Sequence, residues 1–332
     1  MIAGTWFASL RWAELALAGL SLAALGFPVL GRRLWLAELF SHFVLQYAIV
    51  AVCCALGFWL VDRRRLAAWA LAIFLVEAIR LVPLWTPSPA EARPADPVRL
   101  TVLQYNVNYQ NREYARALEW ITRQDPDVLV LVEVTDEWRV ALKALDERYG
   151  VRLISPDPDG RGSAILSRVP SSTLRLEWIG TPWSPTIVLT ASPSPDSAPV
   201  TLYAAHLTSP TTPSDAAARN RELVTLGRRA AADPSRHTII AGDLNVTRWS
   251  PWFEVLTDPA GLRDGGEGLG LQTTWPSPIG RWFGIGIDHT LVSSLIRVVN
   301  RTVGPNLGSD HYPVVTTVEL PARPPSTPIP HS

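Results

Sequence analysis

An aspartate and a histidine stand side by side late in the chain, directly before an apolar run. They are Asp310 and His311 in Gly-Ser-Asp-His-Tyr-Pro, and the run covers residues 314–320. A carboxylate that can hold a divalent metal ion, next to an imidazole that can handle a water proton, suits the hydrolysis of phosphoesters. In isolation such a pair is more often part of an ordinary loop. The interpretation therefore depends on other polar residues in similar positions.

Similar polar residues end or interrupt several other apolar runs. Glu133 lies within the aliphatic run 128–134, where an unpaired carboxylate is costly; the alternative is a charge at the wet end of a strand. The other residues of this kind are Asn106, Asn108, His206, Asp243, Asn245 and Asp288. We interpret the whole set as one site assembled from the ends of strands.

The residue types indicate which part of the chemistry each could perform. Glu133 is the best candidate ligand for Mg²⁺ or Mn²⁺, because these ions prefer oxygen ligands, and no Cys/His cluster indicates zinc. His311 is a candidate general base. It needs a carboxylate to fix its tautomer and raise its basicity, and we choose Asp288. Asp310 then remains for the metal ion or for a water molecule.

Three further residues could act on the water or on the phosphate group. Asp243 and Asn245 alternate by two, so in an extended segment they project to the same side. Asp243 could position the water or protonate the leaving group, and Asn245 could donate to a phosphoryl oxygen; the alternative is an Asx turn. His206 could donate to phosphate or act as a second acid, and a structural core histidine is an equally good interpretation.

These residues need a framework of strands and helices to bring them together. Strands are predicted at 99–107, 128–134, 151–154, 163–167, 174–179, 186–191, 200–206, 237–241, 285–292, 296–303 and 314–320. Helices are predicted after a cap at Asn111, at about 136–148 and at 214–231. Strand–helix alternation at both ends of a β-rich middle predicts an α/β fold with two packed sheets inside helices, a four-layer α/β/β/α sandwich.

The first quarter of the chain is strongly apolar. Three runs approach or exceed the ~20 residues that cross a hydrocarbon core of ~30 Å; they lie at about 12–30, 34–61 and 66–85. The alternative to membrane spans is a buried helical bundle in a soluble protein. The predicted organisation is three transmembrane helices in 1–86, a Pro-rich linker in 87–97, a catalytic domain in 98–320 and a disordered tail in 321–332.

The distribution of charged residues bears on two questions, whether the chain binds nucleic acid and how it is oriented in a membrane. Basic and acidic residues balance at 30 each, so no global basic field indicates nucleic acid. The arginines at 63–65 form the densest positive loop, and positive loops stay cytoplasmic. This favours an extracytoplasmic catalytic domain, whereas Arg32 and Arg33 favour the opposite. Glu77 and Arg80 interrupt the third run, share a helix face and can neutralise each other.

The ordered motifs resemble those of the endonuclease/exonuclease/phosphatase superfamily, which includes deoxyribonuclease I, abasic-site endonucleases, inositol-polyphosphate phosphatases and neutral sphingomyelinases. The motifs are Tyr-Asn-Val at 105–107, Glu133 in a β run, Ala-His-Leu at 205–207, Gly-Asp-Leu-Asn at 242–245, Ile-Asp-His at 287–289 and Ser-Asp-His-Tyr-Pro at 309–313. The resemblance covers residues 98–320. It implies a deoxyribonuclease I-like fold in a membrane-anchored, bacterial-type member.

The resemblance also implies a metal side of the site. Asn106 and Glu133 look like the metal-binding pair, with Asp310 close by. Asn108 is grouped with the substrate-binding residues. It stands where some abasic endonucleases carry a second metal-binding aspartate, so the resemblance does not extend to a second metal ion.

On the other side, the resemblance implies groups for water, phosphate and proton transfer. Asp243 and Asn245 look like the pair that positions water and phosphate. His311 with Asp288 looks like the acid/base dyad, and His206 looks like the phosphate-binding histidine of the nuclease and lipase branches.

The expected function is a membrane-anchored, Mg²⁺-dependent phosphodiesterase in a bacterial cytoplasmic membrane. Its expected partners are the lipid bilayer and a phosphoester substrate. A lipid headgroup or small phosphodiester is placed ahead of nucleic acid, because the domain offers no conspicuous Lys/Arg stripe for a phosphate backbone. The alternatives are an endonuclease or exonuclease acting on DNA or RNA, and a non-catalytic, membrane-tethered binding module.

Overall fold

The computed structural model describes four stretches of the chain, and the predicted linker and tail lie almost wholly outside them. The described residues are 2–86, 97–181, 185–195 and 197–322. The chain divides into two compact units, a smaller one of Met1–Thr86 with Val246–Glu254 and a larger one of Pro87–Asn245 with Val255–Ser332. The apolar first quarter and the residues of the predicted site thus belong to different units.

The smaller unit is helical, and its helices do not follow the predicted pattern of three spans. They are α1 (Ile2–Ser21), α2 (Phe27–Leu30), α3 (Trp35–Phe40), α4 (Val44–Leu60) and α5 (Arg64–Leu81). Among the described residues, two stretches are long and apolar enough to cross a membrane, Arg11–Leu30 and Arg64–Leu84. A turn at Ser41 and His42 divides the predicted middle span between α3 and α4, which leaves α4 with 17 residues. Three transmembrane helices are therefore not confirmed.

Buried polar pairs hold the smaller unit together. Glu77 is fully buried, and each of its carboxylate oxygens accepts from Arg80 Nη1 at 3.1 Å. The expected neutralisation of the two residues is therefore present. In the same unit Ser250 Oγ donates to Glu38 Oε1 at 2.6 Å, which fixes the segment Val246–Glu254 on the helices.

The larger unit contains the strands described in this chain, accompanied by helices. The strands are β1 (Val98–Asn106), β2 (Val128–Val132), β3 (Val151–Ser155), β4 (Ser163–Ser167), β5 (Thr173–Trp178), β6 (Pro185–Ala191), β7 (Val200–His206), β8 (Thr238–Asp243), β9 (Leu262–Asp264), β10 (Asp288–Ser293), β11 (Arg297–Val303) and β12 (Val314–Leu320). The helices after α5 are α6 (Tyr114–Gln124), α7 (Asp136–Ala141), α8 (Pro213–Ala231) and α9 (Phe253–Thr257).

In the described part of the larger unit these strands form two six-stranded sheets. The first has the order β11-β12-β1-β2-β4-β3, and the second has the order β5-β6-β7-β8-β10-β9. Each sheet has one parallel pair at its centre, β1 with β2 and β7 with β8, and its other neighbours are antiparallel. The predicted α/β fold with two sheets and accompanying helices is confirmed.

Alternation along β1 shows how the sequence forms these layers. Leu100 and Val102 pack in the core that also contains apolar residues of the second sheet. Leu103 and Tyr105 pack in another cluster with Ile121 of α6. Successive side chains of a strand point to opposite faces, so a strand with few polar side chains becomes buried on both faces. The first sheet is therefore covered by the second sheet on one face and by helix on the other.

Helix α8 is tied to the second sheet by charged side chains. Arg229 Nη2 lies 2.8 Å from Glu177 Oε1 in β5, and the buried Glu222 Oε2 accepts from the backbone N–H of Thr208 at 2.8 Å. Thr208 lies two residues after the end of β7. The helix thus stabilises the segment that leaves the central parallel pair of the second sheet.

Three local predictions were wrong. The residue preceding α6 is Glu113 rather than Asn111, because the Asn111 side chain accepts from Glu113 N at 2.9 Å and forms a turn before the helix. Helix α7 ends early and continues as a 3₁₀ turn, Leu142–Leu145. Leu142 and Leu145 are both buried, and their spacing of three suits the 3₁₀ period. Strand β9 was not predicted.

Candidate active site

The predicted site residues lie at the ends of the central strands of both sheets. Asn106 is the last residue of β1, and Glu133 directly follows its parallel neighbour β2. His206 and Asp243 are the last residues of β7 and β8, and they stand opposite each other in the register of that parallel pair. The C-terminal ends of two parallel neighbours lie side by side. Each sheet therefore places two polar residues next to each other at the C-terminal ends of its central strands.

Asn106 joins the two groups. Its amide nitrogen Nδ2 lies 2.8 Å from Glu133 Oε1, 3.1 Å from Asp243 Oδ2 and 3.3 Å from His311 Nε2. The side chain is buried, with an exposed fraction of 1%. One amide therefore contacts a carboxylate from the first sheet, a carboxylate from the second sheet and an imidazole.

His311 is held by two buried carboxylates. Its Nδ1 lies 2.9 Å from Asp288 Oδ2, and because a carboxylate only accepts, Nδ1 donates. This leaves Nε2 directed towards Asp243 Oδ2, 3.6 Å away. Burial lowers the pKa of His311, but Asp288 and Asp243 outweigh it and raise that pKa to about 10. For the carboxyl group of Asp288 burial acts in the opposite direction and raises the pKa, but the His311 imidazole holds that pKa below its usual value.

Asp243 uses its two carboxylate oxygens differently. Oδ1 accepts from the backbone N–H of Asn245 at 2.9 Å, which is the Asx turn considered as an alternative. Oδ2 faces Asn106 and His311. Burial raises the pKa of Asp243 to about 6, against the lowering effect of His311. Asp243 can therefore form the Asx turn through Oδ1 and still contribute Oδ2 to the site.

Asn245, Asn108 and Glu133 have left-handed backbone conformations, with φ of 49°, 58° and 61°. Such conformations are uncommon in non-glycine residues, particularly in glutamate, and are enriched at functional sites. The Asn245 amide donates to Leu207 O at 2.9 Å, and Arg219 donates to the Asn245 carbonyl. The protein therefore holds these turns by specific hydrogen bonds.

The structure shows why the Gly-Asp-Leu-Asn motif begins with a glycine, Gly242. It has a φ of 141°, and a Cβ atom added there would overlap the carbonyl oxygen of Ala205 in the neighbouring strand. We expect Gly242→Ala to reduce the free energy of unfolding by about 3 kcal/mol or more, because backbone overlap within a sheet cannot be relieved by rotating a side chain. Urea denaturation of the detergent-solubilised chain would measure it.

The matched control is Gly261→Ala. Gly261 also has a positive φ, 58°, but open space surrounds its Cβ position, so only the backbone preference is lost, about 1 kcal/mol. Equal effects of the two substitutions would show that overlap with Ala205 does not constrain the motif.

Asp310 and Asn108 form a second group beside the first. Asn108 Nδ2 donates to Asp310 Oδ1 at 2.6 Å, and the indole of Trp275 donates to Asp310 Oδ2 at 2.9 Å. His206 lies nearer to Glu133, with its Nε2 3.8 Å from Glu133 Oε1. Asn108, which we expected to bind substrate, is thus engaged with Asp310.

Several residues around the site were not found by reasoning from the sequence. Thr274 Oγ1 accepts from the backbone N–H of Asp288 at 3.2 Å, and the buried Arg301 donates to the Asp288 carbonyl at 2.6 Å. The sequence analysis also did not single out three other residues with contacts around the site, Trp275, Arg219 and Glu222. Charged residues within the apolar face of α8, Arg219 and Glu222 beside Leu223 and Leu226, were the available signal. Nothing in the local sequence marks Thr274.

The side chains around Asn106 suit a hard divalent cation. Glu133, Asp243, Asp288 and Asp310 bring four carboxylates to the site, and ligand atoms of Asp243, Asp288 and His311 lie within 4.8 Å of one another. Oxygen donors predominate and the chain's two cysteines, Cys53 and Cys54, are elsewhere in the sequence, which favours Mg²⁺ or Mn²⁺ over softer metals. Glu133 and Asn106, joined at 2.8 Å, fit the metal-side pair.

The part of the chain that carries the site matches a known protein family. A profile of the Endonuclease/Exonuclease/phosphatase family matches residues 103–311, which include Asn106, Glu133 and His311. The chain belongs to this family. It is a phosphoester hydrolase, and the family depends on divalent metal ions. No curated protein sequence matches it significantly.

Solved structures with the same fold include a TDP2, an AP endonuclease and a bacterial endonuclease/exonuclease/phosphatase. A humanised TDP2 from D. rerio is 21% identical with a TM-score of 0.53, covering 66% of this chain and 98% of that one. The AP endonuclease LMAP from Leishmania major is 19% identical with a TM-score of 0.52, covering 74% and 95%. The endonuclease/exonuclease/phosphatase from Bacteroides vulgatus is 16% identical with a TM-score of 0.52, covering 67% and 99%. At these identities the likeness establishes the deoxyribonuclease I-like fold alone.

Proposed function

We propose that this hydrolase is a membrane-anchored phosphodiesterase that depends on Mg²⁺ or Mn²⁺ and activates water with the help of an Asp–His pair. The observation that carries the proposal is the Asn106 amide, 2.8 Å from Glu133 Oε1 and 3.1 Å from Asp243 Oδ2. It brings a candidate metal ligand from one sheet to a candidate water-positioning group from the other. Hydrolysis of a phosphodiester needs both within reach of one phosphorus atom.

Glu133 and Asn106 would hold the metal ion, with Asp310 as a further ligand. A divalent ion supplies neutralisation of phosphoryl charge and a bound water of lowered pKa. Both Asp310 oxygens already accept hydrogen bonds from Asn108 and Trp275. Each carboxylate oxygen has two lone pairs, so these contacts orient Asp310 without using all its acceptor capacity.

The remaining residues would bind the phosphate and move the proton. Asp288 fixes the His311 ring through Nδ1, so proton exchange takes place at Nε2, which faces Asp243. Asp243 Oδ2 positions the water. Asn245 has a second amide hydrogen beyond the one donated to Leu207 and can donate it to a phosphoryl oxygen. His206 Nε2, beside Glu133, can donate to another.

The membrane part of the proposal rests on the composition of the smaller unit. Arg11–Leu30 and Arg64–Leu84 are long and apolar enough to cross a membrane. We place the protein in a cytoplasmic membrane with the catalytic domain outside the cytoplasm, because the arginines at 63–65 form the densest positive loop. Protease treatment of intact spheroplasts tests the orientation, since a catalytic domain that survives until lysis would lie inside.

A lipid headgroup or another small phosphodiester is the favoured substrate, and nucleic acid is the second candidate. One structural neighbour, TDP2 from D. rerio, is described in complex with a single-strand DNA product, which supports testing DNA. The balanced charge of the chain, 30 basic and 30 acidic residues, gives no broad electrostatic attraction for a polyanion.

The deciding experiment is a hydrolysis panel with the purified full chain in detergent. Bis(p-nitrophenyl) phosphate, phospholipids, inositol phosphates, DNA and RNA are compared with Mg²⁺, with Mn²⁺ and with EDTA. We expect metal-dependent cleavage of the activated diester and faster cleavage of one natural class. If neither ion supports cleavage of any diester, the proposed activity is wrong.

A further inference from the structure

The loop of residues 276–284 exposes three large apolar side chains together. Ile279, Trp282 and Phe283 are 52%, 70% and 66% exposed. The loop belongs to the larger unit and reads Pro-Ser-Pro-Ile-Gly-Arg-Trp-Phe-Gly. Single exposed apolar residues are ordinary, but a cluster of large ones usually marks an interaction surface.

The base of the 276–284 loop is built onto the active-site segment. Ser277 N donates to the carbonyl oxygen of Asp310 at 2.7 Å, and Ser277 Oγ donates to that of Ser309 at 2.7 Å. The hydroxyl of Tyr312 donates to the Ser277 carbonyl at 2.9 Å. The residues on both sides of His311 thus share hydrogen bonds with the loop.

The middle of the loop is fixed by Arg281. Its Nη2 donates to the carbonyls of Val303 and Gly304 at 2.8 and 2.7 Å, and the guanidinium lies 5.2 Å from the centre of the Tyr312 ring. Trp282 and Phe283 follow directly. Their exposure is therefore held by a rigid base and does not result from a loosely attached loop.

The charge around the loop favours one class of partner. No acidic residue occurs between Glu267 and Asp288, and Arg281 is the only charged residue in that interval. Tryptophan and phenylalanine with an isolated arginine are typical of segments at the membrane–water interface. Binding to a nucleic-acid backbone needs several cations, so the composition favours lipid.

We propose that the 276–284 loop inserts Ile279, Trp282 and Phe283 into the headgroup region of a bilayer and thereby brings phosphodiesters of lipid headgroups to the site. The inference rests on the proposed function, because the two apolar helices would hold the catalytic unit close to a membrane. The shared hydrogen bonds with Asp310 and Tyr312 place lipid contact next to the groups that would cleave the headgroup.

Insertion is tested without measuring activity. Cys53 and Cys54 are replaced by alanine in the full chain, Ile279→Cys is labelled with bimane, and the protein is reconstituted in phosphatidylcholine/phosphatidylglycerol nanodiscs with or without doxyl-labelled lipid. We expect a blue shift and strong quenching at position 279. The control is the same label at Trp178→Cys, a position in β5 that is 60% exposed. Equal quenching at 279 and 178 would overturn insertion.

The effect on the substrate is tested with the double variant Trp282→Ala/Phe283→Ala in the same discs. We expect its rate on phospholipid to fall at least about tenfold more than its rate on bis(p-nitrophenyl) phosphate. Insertion into the bilayer should matter only for a substrate that is part of the bilayer, and bis(p-nitrophenyl) phosphate is dissolved in water. Trp178→Ala is the matched control. Equal losses on both substrates, or a selective loss on single-stranded DNA, would overturn the lipid assignment. If the unchanged chain cleaves no diester, the proposed function fails, while the quenching experiment still decides insertion.

Discussion

Replacing His311 by alanine is expected to lower kcat for bis(p-nitrophenyl) phosphate by about 10³-fold or more. The substitution removes the imidazole that Asp288 orients at 2.9 Å and whose Nε2 faces Asp243. It also leaves the buried carboxylate of Asp288 without its hydrogen-bond partner. Initial rates at saturating Mg²⁺ would measure the effect, and circular dichroism would show that the sheets remain folded.

The matched control for this prediction is His237→Ala. His237 precedes β8, at the opposite end of that strand from Asp243, so its removal should change kcat by less than about threefold. If His311→Ala retained activity within that range while folded, the His311–Asp288 pair would have no part in the chemistry.

Glu133→Gln is expected to abolish metal-dependent hydrolysis, with a loss of about 10²- to 10⁴-fold, and to weaken Mn²⁺ binding by about 10- to 100-fold. The amide keeps the size of the side chain, but its single oxygen can accept from only one of the two donors that now reach separate carboxylate oxygens, Asn106 Nδ2 at 2.8 Å and the backbone N–H of Tyr109 at 3.1 Å. It lacks the negative charge that a divalent ion needs. Calorimetric titration with Mn²⁺ gives the affinity independently of turnover.

Glu137→Gln provides the comparison for Glu133. Glu137 lies four positions further along, in the first turn of α7, and is largely exposed. We expect unchanged Mn²⁺ affinity and unchanged rates for this variant. A Glu133→Gln protein that bound Mn²⁺ as tightly as the parent would place the metal elsewhere.

The strands were predictable where apolar runs have clear ends. Ser163–Ser167, Val200–His206 and Val314–Leu320 have the predicted bounds, because turn residues or polar site residues flank each run. Leu262–Asp264 has only three residues and no alternation, and its strand conformation comes from pairing with β10. The predicted middle span failed for a related reason, since hydropathy alone does not register a turn at Ser41 and His42.

The site was predictable as a set of residue types more than as a set of contacts. The choice of Asp288 for His311 followed from what an imidazole needs, and the atoms lie 2.9 Å apart. The contacts of Asp310 with Asn108 and Trp275 join residues far apart in the sequence through side chains that could serve many purposes. Such contacts depend on how loops cross, which the sequence does not show locally.

The position of β12 has a consequence for the newly made chain. β12 pairs with β1 from Val98↔Leu320 to Gln104↔Val314, and it lies between β11 and β1 in the sheet. About two hundred residues separate β1 from β12, which at typical ribosomal speeds of roughly 5–20 residues per second means a delay of about ten to forty seconds. During that delay Asn106 has been synthesised but His311 has not. We therefore expect the newly made chain to lack hydrolase activity until β12 has paired with β1.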